Sequence, residues 1–151
     1  MATVNAGARV SSGRGPTNEE ISAATSRFRG RTPAQWFGLV VGLLLTLRGA
    51  EQLIVGASFA MPGDGWRGTQ QLVTGILLLF AQRSPRVAYW ALIPFAIFYG
   101  VLAVVGDING HEAFGPLPID TRDKFVHPIY AVLALALLAA GWRGDPMRSA
   151  R

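Results

Sequence analysis

Four apolar segments, separated by short polar stretches, limit what this chain can fold into. They run over roughly residues 34–55, 68–82, 87–106 and 124–142, and the third contains no charged residue. A helix that crosses a bilayer needs about 20 largely apolar residues, with a range of about 17–25. The second segment is marginal and needs Trp66 or Arg67 as its outer boundary. The sequence therefore predicts an all-α, up-down bundle of four transmembrane helices.

The composition agrees with a membrane location. Half of the 151 residues are hydrophobic and 15% are charged, whereas soluble domains usually carry about 25% charged residues. The chain has no cysteine, which excludes disulfides, thiolate metal sites and cysteine nucleophiles. The net charge of +5 is compatible with nucleic-acid binding, but the basic residues flank the apolar segments. We therefore expect a lipid bilayer, and no nucleic acid, as the partner.

The distribution of charges predicts an orientation. Ten arginines flank one side of the four segments: Arg9, Arg14, Arg27, Arg29, Arg31, Arg83, Arg86, Arg143, Arg148 and Arg151. The other side has the basic residues Arg67, Arg122 and Lys124 and the acidic residues Asp64, Asp107, Glu112, Asp120 and Asp123. Because short loops rich in Lys and Arg stay in the cytoplasm, both termini should be cytoplasmic.

Three regions follow from these patterns. Residues 1–31 are rich in Ser, Thr, Gly, Ala and Arg, so we expect a disordered, basic cytoplasmic tail. Within this tail, a capping-box pattern opens residues 18–29, for which the alternative is a short helix on the membrane surface. Residues 32–143 should form the transmembrane domain, and residues 144–151 a short cytoplasmic tail.

A stripe of glycines marks one face of the first segment. Its members are Gly38, Gly42, Gly49 and Gly56, which lie within about 40° of each other on a helix that turns about 100° per residue. Small residues let another backbone approach closely. We expect this face to pack against a second helix of the same chain, and the alternative is a second copy of the protein.

Polar side chains gather in the outer half of the predicted bundle. They are Arg48, Glu51 and Gln52 in the first helix, Gln71 in the second, Asp107 in the third, and Asp123 and His127 in the fourth. Charges at membrane depth usually face a partner or a wet cavity. The favoured interpretation of Arg48 and Glu51 is a structural ion pair between these two neighbours, with one end reaching the interface. The other expectation, a hypothesis, is that the pair faces the interior and shares a hydrated, ligand-binding patch with the others.

The sequence contains no pattern typical of an enzyme. Nucleophile elbows, phosphate-binding loops and haem signatures are missing, and two histidines, His111 and His127, make no metal motif. We therefore expect no catalytic residues, no metal and no cofactor.

The fourth segment, "LPIDTRDKFVHPIYAVLALALLAAG", resembles the last span of an uncharacterised family of small four-helix bacterial membrane proteins, a domain of unknown function. In that family an Asp, here Asp123, precedes a His, here His127, near the start of the final helix. The stretches "WFGLVVGLLL" and "RSPRVAYW" also fit, so the resemblance covers about residues 32–142. The family usually has a His at the start of the second span, where this chain reads "RGTQQLVTG". The resemblance implies a membrane location and no particular activity.

Two functions fit these observations. The first is a non-enzymatic accessory or scaffold protein of the bacterial plasma membrane, which contacts lipid, other membrane subunits or itself through the glycine stripe and the uncharged third helix. The alternative is a small transporter or ligand-binding protein that uses the outer polar patch. A membrane enzyme is less favoured, because the sequence lacks a catalytic constellation.

Overall fold

The chain folds into four α-helices. The structure, a computed structural model, describes residues 30–144, so the expected surface helix and nearly all of both tails lie outside the described residues. The helices are α1 (Pro33–Ile54), α2 (Asp64–Ala81), α3 (Pro85–Asn109) and α4 (Asp123–Gly144). A short antiparallel hairpin of β1 (Glu112–Ala113) and β2 (Leu117–Pro118) lies between α3 and α4. The predicted helical class with four helices is confirmed, whereas the hairpin was not predicted.

Three helices are long and apolar enough to cross a membrane. They are Pro33–Ile54, Pro85–Asn109 and the part of α4 from Asp123 to Gly141. The 18-residue α2 is not among them, because its first two turns include Asp64, Arg67 and two glutamines. The structure therefore indicates a membrane protein with three clear candidate spans.

A capping box starts α1 and also ties it to α2. The Gln35 amide N–H donates to Thr32 Oγ1 at 3.3 Å, and the Thr32 amide N–H donates to Gln35 Oε1 at 3.0 Å. Pro33 suits the first helical position, where no amide donor is needed. The side-chain nitrogen of Gln35 also donates to the carbonyl oxygen of Gln82 at 2.9 Å. The first residues of α1 are thereby fixed beside the end of α2.

The glycines of α1 pack against glycines of α2. A Cβ atom on Gly49 would lie 2.5 Å from the Leu72 nitrogen and 2.6 Å from the Gly68 oxygen. On Gly42 it would lie 3.0 Å from the oxygen of Gly75. Only residues without side chains permit such a close approach of two helices. Gly42 and Gly49 are therefore buried against α2 of the same chain.

Two of the stripe residues differ in their surroundings. Gly38 packs against Gln82, whose Cβ would lie 3.0 Å from a Cβ on the glycine. Gly56 lies beyond the end of α1 and has a φ of +114°. A Cβ atom added to it would have no described neighbour within 4 Å. The expectation that Gly56 packs against a helix is wrong, because α1 ends two residues earlier and the glycine serves the turn.

The second helix pair, α3 and α4, forms most of the remaining core. Leu92, Tyr99 and Leu102 of α3 are almost completely buried, and Ala131 and Ala134 of α4 lie in the same cluster. The two pairs meet through an edge-to-face contact between Phe37 and Phe95, whose ring centroids are 5.3 Å apart. The core therefore runs along the interior of all four helices.

Large apolar side chains cover the outward faces of all four helices. Exposed examples are Val40, Leu44 and Leu47 on α1, Val73, Leu77 and Phe80 on α2, Ile97, Val101 and Val104 on α3, and Ile129, Val132 and Leu135 on α4. Soluble monomers rarely expose apolar patches larger than a few hundred Å². This surface is suited to lipid.

Candidate functional site

The loops at one end of the bundle are joined to each other. We call this the loop end: α1 and α3 finish there, α2 and α4 begin there, and residues 55–63 and 110–122 connect them. The Gly63 amide N–H donates to the Pro116 oxygen at 3.1 Å, and the Ile119 amide N–H donates to the His111 oxygen at 2.8 Å. The loops therefore hold the starts of α2 and α4 side by side.

Arg67 is the centre of an ion-pair cluster at the loop end. Its Nη1 donates to Asp120 Oδ2 at 2.6 Å and to Asp123 Oδ2 at 3.2 Å, and its Nη2 donates to Asp64 Oδ1 at 2.6 Å. The side chains of Arg67 and Asp123 are only 14% and 12% exposed, whereas those of Asp64 and Asp120 are mostly exposed. One guanidinium thus links the start of α2 to the start of α4.

Opposing effects act on the charge of Arg67. Burial removes water from its guanidinium, whereas the hydrogen bond to Asp120 and the charges of Asp120, Asp123 and Asp64 stabilise the charged form. Arginine is already protonated at every accessible pH. Arg67 therefore keeps a permanent positive charge, with three carboxylates around it.

Asp123 also fixes the backbone that leads into α4. Its Oδ2 accepts a hydrogen bond from the Asp120 amide N–H at 3.0 Å, and its own amide N–H donates to the Asp120 oxygen at 3.0 Å. A carboxylate in the first turn of a helix also interacts favourably with the helix dipole. The same side chain therefore pairs with Arg67 and stabilises the start of the helix.

A layer of aromatic and amide groups lies below the ion pairs. The rings of His127 and Tyr99 are 5.5 Å apart, and Tyr130 packs edge-on against Tyr99 at 5.4 Å. The Tyr99 hydroxyl accepts a hydrogen bond from Gln70 Nε2 at 3.3 Å, and the same nitrogen donates to Thr74 Oγ1 at 3.2 Å. These contacts continue the polar cluster from the loop end into the bundle.

Four buried polar atoms near this end have no hydrogen-bond partner within the described part of the chain. They are Gln52 Oε1, Arg67 Nε, Gln71 Oε1 and His127 Nδ1. Buried polar atoms are nearly always paired, and unpaired ones are commonly satisfied by water or a ligand. We call the set of Gln52, Arg67, Gln70, Gln71, Tyr99, Asp123 and His127 the polar core. Its free donors and acceptors suit water or a small polar molecule.

The structure places the seven sequence-predicted site residues in two groups. Gln52, Gln71, Asp123 and His127 are buried or half-buried and belong to the polar core. Asp107 is exposed at the end of α3 and does not join them. Arg48 Nη1 and Glu51 Oε2 do form an ion pair, at 2.5 Å, but their side chains are 49% and 56% exposed. The expectation that this pair faces the interior is wrong.

Helix geometry explains the outward position of Arg48. At about 100° per residue, Arg48 lies about 100° from the packed Gly49, whereas Gln52 lies only about 60° from it on the same side. The difference is enough to turn Gln52 inward, where its Cβ would be 3.1 Å from a Cβ on Gly68. Arg48 instead shares the outward face with Leu44 and Leu47.

Sequence reasoning missed Arg67, Gln70 and Tyr99 as site residues. Arg67 was interpreted as a boundary residue, and Tyr99 lies in a segment that reads as uniformly apolar. The spacing of Asp64 and Arg67 gives a local signal, since residues three apart are neighbours on a helix. The contacts of Arg67 with Asp120 and Asp123 span more than 50 residues and leave no comparable local signal.

No cluster of three or more His, Asp or Glu side chains suited to a metal ion occurs among the residues that the structure describes. The carboxylates around Arg67 are occupied by its guanidinium. The arrangement is suited to electrostatic pairing and to hydrogen bonding of a small polar group.

Comparison with known proteins places the chain in a family. Residues 56–141, which include α2, α3 and most of α4, match the family model described as a domain of unknown function, DUF4383. The chain belongs to the DUF4383 family. The predicted resemblance to a family of unknown function is thereby confirmed, although residues 32–55 lie outside the match. The matched region contains every residue of the polar core except Gln52, which lies in α1. No curated protein and no solved structure matches the chain significantly.

Proposed function

We propose that this DUF4383 member is a four-span protein of the bacterial plasma membrane with both termini in the cytoplasm. We further propose that it acts without catalysis, as an accessory subunit beside lipid and a larger membrane complex. The absence of an enzymatic pattern in the sequence and the apolar exterior support this proposal.

The directions in which the side chains of α2 point support this helix as the fourth span. Its exposed face carries Val73, Leu77 and Phe80, whereas Arg67 and Gln71 are partly buried. A hydropathy average counts the inward polar residues, although lipid would not touch them. At about 1.5 Å per residue, 18 residues span about 27 Å, close to the apolar thickness of a bilayer.

The charges of the loops support the orientation. The loop end carries the acidic residues of the Arg67 cluster, whereas the opposite end carries Arg83 in the turn between α2 and α3 and Arg86 in the first turn of α3. By the positive-inside rule, these charges support a cytoplasmic position for that turn and an outside position for the loop end.

The outward position of the Arg48–Glu51 pair is the main observation that supports the accessory role. The pair lies on the same face as the exposed Leu44 and Leu47. Arg48 is six residues before the end of α1, which puts it about 9 Å inside that end. Charges at such depth usually face a protein partner or water. The glycine stripe is occupied by α2, so this face is the better candidate for an external subunit.

Native gel electrophoresis of mild-detergent extracts tests the role. We expect the wild-type chain to migrate in a complex larger than itself, and a variant with both Arg48→Leu and Glu51→Leu to migrate as the free protein while melting at an unchanged temperature. The substitution Ile97→Leu on the outward face of α3 is the matched control and should leave the complex intact. A wild-type chain that migrates alone would contradict the accessory role.

A second candidate function is binding of a small polar ligand in the polar core. The four unpartnered buried atoms favour it, because such atoms are usually satisfied by water or by a ligand. Native mass spectrometry of the purified protein tests this idea. A bound mass that is present in the wild type and lost in Gln71→Leu would support a ligand, and its absence from the wild type would argue for water alone.

A further inference from the structure

An apolar groove lies between α3 and α4 at the end opposite the polar core. It has a volume of about 280 Å³ and is lined by Tyr89, Trp90, Ile93, Leu138 and Ala139. We propose that this groove holds an acyl chain of an anionic phospholipid from the cytoplasmic leaflet, with the lipid phosphate at Arg86. The proposal rests on the orientation given under the proposed function.

The walls of the groove are held in place by packing. The Tyr89 hydroxyl donates to the Leu138 oxygen at 3.0 Å, which joins the two helices across the groove. A Cβ on Gly141 would collide with the Tyr89 ring, so this ring lies directly against the backbone of α4. The Trp90 ring packs edge-on against Tyr89 at 5.8 Å and remains half exposed. The groove therefore exists before a ligand enters.

Arg86 is positioned for a head group. At 3.6 residues per turn, Arg86, Tyr89, Trp90 and Ile93 lie on one face of α3, and Arg86 is one turn closer to the helix start. Its side chain is exposed and makes no hydrogen bond or ion pair with any described residue. A phosphate above the groove would meet this guanidinium.

The surrounding charges favour an anionic lipid over a zwitterionic one. Within residues 30–141, every Asp and Glu lies near the loop end, so no described carboxylate competes for Arg86. A zwitterionic head group would bring its own positive charge next to this arginine. Basic pockets between helices on the cytoplasmic side are suited to anionic lipid head groups. The aromatic rings of Tyr89 and Trp90 also suit the interfacial depth at which a head group meets its chains.

Quenching of Trp90 fluorescence by brominated lipids tests the proposal. A variant with Trp36→Phe, Trp66→Phe and Trp142→Phe keeps Trp90 as the single tryptophan of the four in the chain. It is reconstituted into vesicles of phosphatidylglycerol and phosphatidylcholine in which one lipid or the other is brominated. We expect phosphatidylglycerol to be preferred next to Trp90 by about fivefold, the contribution of one basic side chain near anionic lipid.

Three variants in the same background locate the site. Arg86→Gln should bring the preference to about one, because the head-group charge is then unpartnered. Arg83→Gln is the matched control, since Arg83 lies at the same end but stacks on Phe80 at 4.3 Å, and it should keep the preference. Ala139→Leu fills the groove and should reduce quenching by both lipids.

Several outcomes would overturn the site. The site would be overturned if the parent protein showed no preference for phosphatidylglycerol over phosphatidylcholine. It would also be overturned if Arg83→Gln and Arg86→Gln reduced the preference equally, because a diffuse surface charge would then explain the binding. Absence of quenching by either lipid, in protein that floats with the vesicles, would mean that a second copy or another protein covers the groove. Protein that fails to float would contradict the proposed membrane function itself.

Discussion

Arg67 is the residue on which the arrangement of the loop end depends. It is mostly buried, and its three carboxylate partners belong to the start of α2, to the loop before α4 and to the start of α4. Removing one partner of a buried pair leaves an uncompensated charge, which is more harmful than removing both partners. The contribution of Arg67 should therefore be measured together with that of Asp123, its buried partner.

We predict that Arg67→Gln lowers the free energy of unfolding by about 3 kcal/mol, because Asp123 is then left buried without a cation. Asp123→Asn should also destabilise, and the double variant should lose less than the sum of the two single variants. Thermal melting in detergent measures all three. Additive losses would mean that the two side chains contribute independently.

The exposed Arg48–Glu51 pair is the matched control for this cycle. Its two side chains are about half exposed, and exposed ion pairs contribute about 1 kcal/mol or less. Arg48→Gln should therefore change the melting temperature of the isolated protein far less than Arg67→Gln does. An equal effect would place the pair in the interior after all.

Gln70 and Gln71 are adjacent residues that should respond oppositely to the same substitution. Gln70 donates to Tyr99 and Thr74, whereas Gln71 Oε1 is buried without a partner in the described structure. We predict that Gln70→Leu destabilises by about 1 kcal/mol, and that Gln71→Leu is neutral or stabilising. Melting of the two purified variants compares them. Destabilisation by Gln71→Leu would show that its amide is satisfied by water or a ligand, as the second candidate function requires.

At the scale of the elements, the contact between α1 and α2 depends on the absence of side chains. A Cβ on Gly49 would lie 2.5 Å from a backbone nitrogen of α2. We predict that Gly49→Ala destabilises the protein by about 1–3 kcal/mol, since the helices must separate to admit a methyl group. Melting in detergent measures the change.

Gly100→Ala in α3 provides the control for that substitution. Its Cβ would meet only the Cβ of Ala131, at the ordinary distance of 3.9 Å. Because alanine favours a helix by about 1 kcal/mol over glycine, Gly100→Ala should be neutral or stabilising. Equal destabilisation by both substitutions would argue against close packing as the cause.

The elements also show which features the sequence predicts. Apolar runs and their polar boundaries predicted four helices, and the spacing of Gly38, Gly42 and Gly49 predicted the face of α1 that packs. The same spacing did not determine the direction of Arg48. Around the helix axis, a difference of a few tens of degrees decides whether a residue at the edge of the packed face points inward or outward. Contacts such as Arg67 with Asp120 depend on how the loops bring separate helices together, so local patterns do not predict them.

At the scale of the whole molecule, the polar and apolar residues are distributed as a bilayer would require. Apolar side chains face outward on every helix. At one end of the bundle, Arg67 forms its ion pairs with carboxylates of the same chain. Arg83, in the turn between α2 and α3, and Arg86, in the first turn of α3, lie at the other end. This distribution is the basis of the central claim that all four helices, including the polar α2, cross the membrane.

Cysteine labelling tests that claim most directly, since the chain has no native cysteine. Ser58→Cys and Thr121→Cys lie in the two loops of the loop end, and Ser84→Cys lies in the turn between α2 and α3. In intact cells, an impermeant maleimide should label Ser58→Cys and Thr121→Cys, and should label Ser84→Cys only after permeabilisation. Labelling of Ser84→Cys together with Ser58→Cys in intact cells would show that α2 does not cross the membrane and would contradict the four-span account.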